Sequence, residues 1–459
     1  MQIPILKTSS PRKAIAICAI ASIGVSIAIY SVFSVPRINP AWQYRFQRPE
    51  VGKITKNLQQ EIAFHKRQIQ QQPTSGLERA SLAQAYLKMA RATGESSWYL
   101  LAEQTAQLSL ARLSIDNHGA TVVLARVAAA RHDFARTLAL LKKLPPQAES
   151  LSLLATTQLA LGNTIEARQT ADVLVKKMPT LNNIAIKGLV EVVQGQDREA
   201  IRDLTAAIAA EEPEDAGSSA WVRTLLGRLY YKRGQLQQAE DLYKSALDIL
   251  PKYSPTLLNM AELSVRRWQR DPTQTADRQQ AVELYDRFFL TNQKAPTIYD
   301  HIALRGLARV QRLQGDTAKA NQTWEQAVAR LRTDLTGFGH RRELAQLLME
   351  WGQPKDRAEA LTLMQAEIKV RQDPETWDTL AAAYFQMGQL DKAQEAIEMA
   401  LKSGIRDPAI TDRAAVIAAT RGQSVQAQKY RELVKSIDPL FDNGARQALG
   451  LGVGLSGLN

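Results

Sequence analysis

The sequence holds a single cysteine, Cys18, in 459 residues. That excludes a disulfide framework and any zinc ribbon, which need cysteines in pairs. Aromatic residues make up only 6%, and the 24 Gly and 18 Pro are ordinary counts, so collagen-like and low-complexity classes fail as well. There is no H-E-x-x-H, no Walker loop and no nucleophile elbow. The histidines His65, His118, His132, His301 and His340 stand singly along the chain, where a metal site needs several ligands that converge. What remains is 45% hydrophobic and 23% charged, enough to bury a large core and longer than one compact core usually runs. Ala and Leu recur throughout, which favours helix.

The net charge of +12 is unevenly placed. Residues 1–60 hold Lys7, Arg12, Lys13, Arg37, Arg45, Arg48, Lys53 and Lys56 against Glu50, which is +7 of that total. A nucleic-acid binder carries its basic footprint on the folded body. Here most of the excess flanks one apolar run, which points to a membrane surface. Ala14 to Val35 contains no charged residue, and Pro36 closes it. As a helix it would extend roughly 33 Å, enough to span a hydrocarbon core. Trp42, Tyr44 and Phe46 come next among Arg37, Arg45 and Arg48, a mixture suited to a headgroup layer. The competing expectation is a cleaved signal peptide, with Lys7, Arg12 and Lys13 as its basic start and Val32-Phe33-Ser34 as its cleavage context. The run exceeds the usual apolar length of such a peptide, so an uncleaved anchor is the favoured expectation. Cys18 comes after Ile17 where a lipoprotein needs a small residue, and reads as a small apolar side chain. Basic residues lie on both sides of the run; a short basic tail before it favours export of the chain on its carboxy-terminal side.

Beyond residue 73 the chain repeats. Gly388-Gln389-Leu390-Asp391-Lys392-Ala393 returns 34 residues later as Gly422-Gln423-Ser424-Val425-Gln426-Ala427. The same Gly, with Ala five residues on, occurs at Gly162/Ala167, Gly195/Ala200, Gly234/Ala239 and Gly315/Ala320. A Gly can end a helix in a left-handed conformation without a Cβ penalty. The Ala lies where two antiparallel helices approach, faced by small residues such as Gly188, Gly227, Ala308 and Ala381. Pro179, Pro251 and Pro439 close second helices. A lone pair cannot bury its apolar face, so neighbours must stack.

These residues resemble the tetratricopeptide repeat. Residues 220–251 carry Leu226, Gly227, Tyr230, Gly234, Ala239, Tyr243, Ala246 and Pro251 in the family's order. Residues 374–405 match through Trp377, Leu380, Ala381, Tyr384, Gly388, Ala393 and Ala400, then depart at Ser403-Gly404-Ile405-Arg406-Asp407 before Pro408. About ten helix pairs are expected, with a longer loop from Arg270 to Arg278 and a small insertion after Gly352. The expected fold is all-α: a right-handed superhelical solenoid of antiparallel pairs preceded by one N-terminal transmembrane helix. Its expected parts are a basic tail (1–13), the membrane helix (14–35), a juxtamembrane segment (36–72), degenerate repeats (73–213), clearer repeats (220–439) and a cap with a Gly-rich tail (440–459). The interval from Glu211 to Ser219 is expected to be a solvated acidic loop, the less favoured reading being a separator between two stacked blocks. Gly452-Val453-Gly454-Leu455-Ser456-Gly457 has the letters of a dinucleotide fingerprint but lacks the strand and helix that motif needs.

The resemblance implies a non-catalytic scaffold without cofactor or metal, whose first helices line a concave groove for partner proteins or peptides. Carried onto this sequence, the groove-facing residues are Arg228, Tyr231 and Lys232, then Arg266, then Arg305, Arg309 and Arg312. The last three are spaced to share one helical face. They suggest a basic stretch that accepts an acidic segment, set against an ordinary charged face partly neutralised by Glu262 and neighbouring carboxylates. Nucleic acid is not an expected partner. The alternatives are a secreted or periplasmic assembly factor after signal cleavage and, least favoured, an enzyme with a site between repeats.

Overall fold

In a computed structural model the described residues are 39–442, apart from 214, 294, 334, 336–339 and 352–353. The chain divides into two compact units, Met1–Gln43 and Tyr44–Asn459. In the first, the described part is a short 3-10 turn, Pro40–Trp42, capped by the Asn39 side chain, which accepts a hydrogen bond from the Ala41 amide at 3.0 Å. The expected membrane helix at 14–35 and the Gly-rich tail beyond Asp442 lie outside the described residues. Among the described residues no helix is long and apolar enough to cross a membrane.

The second unit is a solenoid of α-helices, with no strand among the described residues beyond an isolated bridge between Glu95 and Thr297. The helix Lys53–Gln71, where the sequence suggested only a juxtamembrane segment, precedes ten antiparallel pairs among the described residues, from Gly76 to Ile437. Their construction matches the sequence closely. Gly162, Gly195, Gly234, Gly315, Gly388 and Gly422 all take positive φ in the turn within a pair. The Ala five residues later is buried every time, at 167, 200, 239, 320, 393 and 427. At Gly227 a Cβ would stand 2.5 Å from the Tyr243 ring, so no larger residue fits that crossing.

Three sequence expectations change. The helix Ser254–Arg270 is succeeded by a new helix at Thr275, so the long loop is four residues. It is short because the Asp271 carboxylate accepts hydrogen bonds from the Thr273 amide and hydroxyl at 3.1 and 2.5 Å and from Gln274 at 3.0 Å. The acidic interval is not simply solvated: Glu211 is buried and accepts from Arg223 at 2.8 Å, while Asp215 caps the helix Ala216–Tyr231 by accepting from the Ser218 amide at 3.1 Å. Tyr44 donates to the Pro213 carbonyl at 3.3 Å and Arg45 to the Ala209 carbonyl at 2.5 Å, and Arg48 pairs with Asp248. These side chains, expected in a headgroup layer, are engaged by the repeats.

The stack also coils onto itself. Each within-pair turn of the first five pairs meets chain from about five pairs later. The Ile298 amide donates to the Gly94 carbonyl at 3.0 Å, and the Gln372 amide to the Ala160 carbonyl at 2.8 Å. A Cβ on Gly195 would lie 2.1 Å from the Gly404 carbonyl oxygen. Arg406 donates to Asp197 at 2.9 Å across 209 residues. The departure from the repeat pattern at residues 403–407 is therefore a contact with the preceding turn of the superhelix.

Candidate functional site

The predicted groove residues come from the first helices of three successive pairs, Ala216–Tyr231, Ser254–Arg270 and Asp300–Leu313. Arg228, Tyr231, Lys232, Arg266, Arg305 and Arg309 are all buried, and only Arg312 is exposed. The face is thus neither an open basic groove nor a solvated charged face. The later turn of the coil supplies much of its cover and its counter-charge. Lys232 donates to Asp407 at 2.5 Å, 175 residues away. Arg266 donates to Asp438 at 2.6 Å and to the Tyr231 carbonyl at 2.9 Å, with its guanidinium 5.1 Å from the Tyr231 ring centre.

Within the same turn, Arg305 and Arg309 share one carboxylate, donating to Glu350 at 2.8 and 2.6 Å. Burial by itself would raise the Glu350 carboxyl, but the two guanidiniums outweigh it and hold it at about 2. Arg312 does not join them: its guanidinium lies 5.2 Å from the ring centre of Trp324, on the second helix of its own pair. The expected three-residue face is therefore a buried pair plus one exposed cation.

Glu262 is the centre of this interior. It is buried, and burial pushes its carboxyl up to about 7 against the pull of Arg228, Arg309, Arg305 and Lys232. Arg228 donates to neutral Asn259 at 3.2 Å. Among the described residues no carboxylate lies within ion-pair distance of Arg228. Tyr243 and Tyr285, on the second helices, complete the cluster and were not singled out from the sequence as site residues. The signal was there: Gly227 and Gly306 each face a tyrosine, and a Cβ on Gly306 would stand 2.0 Å from the Tyr285 hydroxyl.

A second buried polar cluster gathers histidines that looked isolated in sequence. The rings of His301 and His340 have centroids 4.8 Å apart. His132, in a left-handed conformation where other pairs have Gly, reaches to 3.7 Å from Glu367 across the coil. Burial, and then the neighbouring His340, push His301 down to about 3, so it is neutral at physiological pH. Glu343 is held well below the usual range because Arg342 and Arg371 outweigh the effect of burial. Among the described residues no group of three or more His, Cys, Asp or Glu is arranged to hold a metal ion.

Family models for the tetratricopeptide repeat match residues 180–252, 148–172 and 301–326. Over those residues the chain is similar to the tetratricopeptide repeat. No curated protein matches the sequence. A tetratricopeptide repeat protein from Parabacteroides merdae has a solved structure similar over 59% of this chain and 98% of its own, at 15% identity and a TM-score of 0.35. A human IFIT1 dimer with PPP-AAAA is similar over 71% of this chain and 72% of its own, at 15% identity and a TM-score of 0.44. The same human protein with m7Gppp-AAAA is similar over 78% of this chain and 71% of its own, at 14% identity and a TM-score of 0.42. The matched repeats include Ala216–Tyr231 and most of Asp300–Leu313, two of the helices that bear the buried arginines.

Proposed function

We propose that this chain is a non-catalytic tetratricopeptide-repeat scaffold that holds partner proteins near a membrane. The observation that carries the scaffold reading is the stack of ten helix pairs among the described residues, a construction that offers extended surface for other polypeptides. The membrane reading rests on the sequence: an uncharged run, Ala14 to Val35, flanked by basic residues. An anchor of that kind confines the scaffold to two dimensions and raises its local concentration for membrane partners. The repeats stand on the extracytoplasmic side in this reading.

The closed coil changes where a partner meets the repeats. With Arg228, Lys232, Arg266, Arg305 and Arg309 sealed in ion pairs or under neighbouring helices, a partner segment reaches them only if the turns of the coil part. Arg312 is accessible as it stands, as are the apolar side chains of Leu108, Ile115, Ile165 and Val425.

Proximity labelling from the carboxy terminus in intact cells tests the proposal, because it reports both the compartment and the neighbours. The expected result is a set of membrane-associated proteins on the extracytoplasmic side. Labelling dominated by RNA-bound complexes in the cytoplasm would reject it. Mass spectrometry of the mature amino terminus separates the anchored chain from a secreted or periplasmic factor, since a start near Val35 would remove the membrane claim.

A further inference from the structure

Buried polar atoms are almost always paired with protein or ordered water, so a cluster without protein partners calls for a group, water or an ion, to satisfy it. Around Glu262 such atoms concentrate. Arg228 Nε and Nη2, Arg309 Nη1, the hydroxyls of Tyr231, Tyr243 and Tyr285, and Glu262 Oε1 have no hydrogen-bond partner among the described residues of the protein. All six side chains are more than nine-tenths buried. They come from five consecutive helices, and they are close enough that both guanidinium charges bear on Glu262 and on Tyr231. The two glycine gaps make the arrangement: Gly227 and Gly306 lack the Cβ that would push Tyr243 and Tyr285 aside.

The imbalance has a direction. Three unpartnered guanidinium nitrogens and three hydroxyls stand against a single unpartnered carboxylate oxygen in this cluster. Charge leans the same way, because Glu350 serves both Arg305 and Arg309, and Arg228 is matched only by neutral Asn259. A buried cation without a counter-ion is costly, and an acceptor-rich anion removes that cost. Protonation of Glu262, favoured by its burial, would turn the remaining acceptor into a further donor.

We propose that the interior between Arg228, Arg309 and the tyrosines of this cluster binds one oxyanion of phosphate size. Its oxygens accept hydrogen bonds from the two guanidiniums and from the phenol hydroxyls. This ligand is separate from any partner protein of the repeats. Entry and release require the Lys232–Asp407 and Arg266–Asp438 contacts to part, so exchange is slow and an occupied coil is harder to open.

The test is equilibrium dialysis of the full-length chain, in neutral detergent, against radiolabelled inorganic phosphate, with chloride at equal ionic strength as control. One phosphate per chain is expected, displaced by sulfate and not by chloride, with a rise in melting temperature. Arg228→Gln and Arg309→Gln should each weaken binding by about tenfold or more, the loss of one charged hydrogen-bonding group. Should either variant fail to fold by circular dichroism, Tyr231→Phe and Tyr285→Phe, which keep the packed volume, decide the matter by weakening phosphate binding. No uptake above the chloride control overturns the proposal. Uptake that all folded variants retain overturns it too, since that would be an adventitious ion only.

Discussion

Arg266 and Asp438 lie 172 residues apart and meet at 2.6 Å with neither side chain exposed to solvent. One belongs to the sixth helix pair, and the other stands just past the last. Their contact joins two turns of the coil, and the Leu440 amide donates to the same carboxylate at 2.9 Å. Removing one charge strands the other. Asp438→Asn should therefore destabilise the chain by about 3–5 kcal/mol in denaturant unfolding, whereas Arg266→Met with Asp438→Leu should recover part of the loss. An Asp438→Asn variant as stable as the parent would show that the turns do not close through this pair.

Two glycines separate the local requirement of the repeat from the contact between turns. Gly195 and Gly422 have φ of +71° and +76°, so Ala at either place meets the same left-handed strain, about 1–2 kcal/mol. Only Gly195 faces the other turn, where its new Cβ would lie 2.1 Å from the Gly404 oxygen, while Gly422 has nothing within 4 Å. Gly195→Ala should lower the melting temperature clearly more than Gly422→Ala. Equal losses would mean that the two turns do not touch at Gly195.

Glu262 should leave a mark on the pH dependence of stability. Its ordinary value is 4.5, and burial raises it to about 7 in the folded chain. Between those values the unfolded chain releases a proton that the folded chain keeps. Stability from this group is therefore present below about pH 4.5 and falls, by on the order of 3 kcal/mol, as pH rises to about 7. Glu350 has the opposite sign: its contribution is present above pH 4.5 and fades as pH falls toward 2. Glu262→Gln should thus gain on the parent between pH 5 and pH 8 in urea titrations. Parallel pH profiles would remove Glu262 as a source of the slope.

Charge reversal should affect Arg305, Arg309 and Arg312 differently. Arg305→Glu and Arg309→Glu each set a new carboxylate beside Glu350 in a buried position and should reduce helicity or melting temperature. Arg312→Glu loses only an exposed stacking contact with Trp324, about 1 kcal/mol or less. Partner capture by Arg312→Glu is therefore the interpretable measurement. A drop at unchanged helicity supports an acidic partner segment at the exposed surface, and unchanged capture rejects Arg312 as a contact.

The helix pairs, their turns and their close crossings were legible in the sequence because each is a local requirement. A Gly such as Gly388 ends a helix by its own backbone freedom, and an Ala such as Ala393 marks the crossing within its own pair. The arginines were legible as one helical face for the same reason: spacing along a helix decides which residues share a side. What that side meets is another matter. Lys232 finds Asp407, Arg266 finds Asp438, and His132 approaches Glu367 only because small rotations between successive pairs add up until one turn lands on the next. That sum depends on every interface in the stack, and no short pattern encodes it. Sequence alone therefore determined the repeat and its charged face, and the tertiary coil decided that the face is closed, paired and buried.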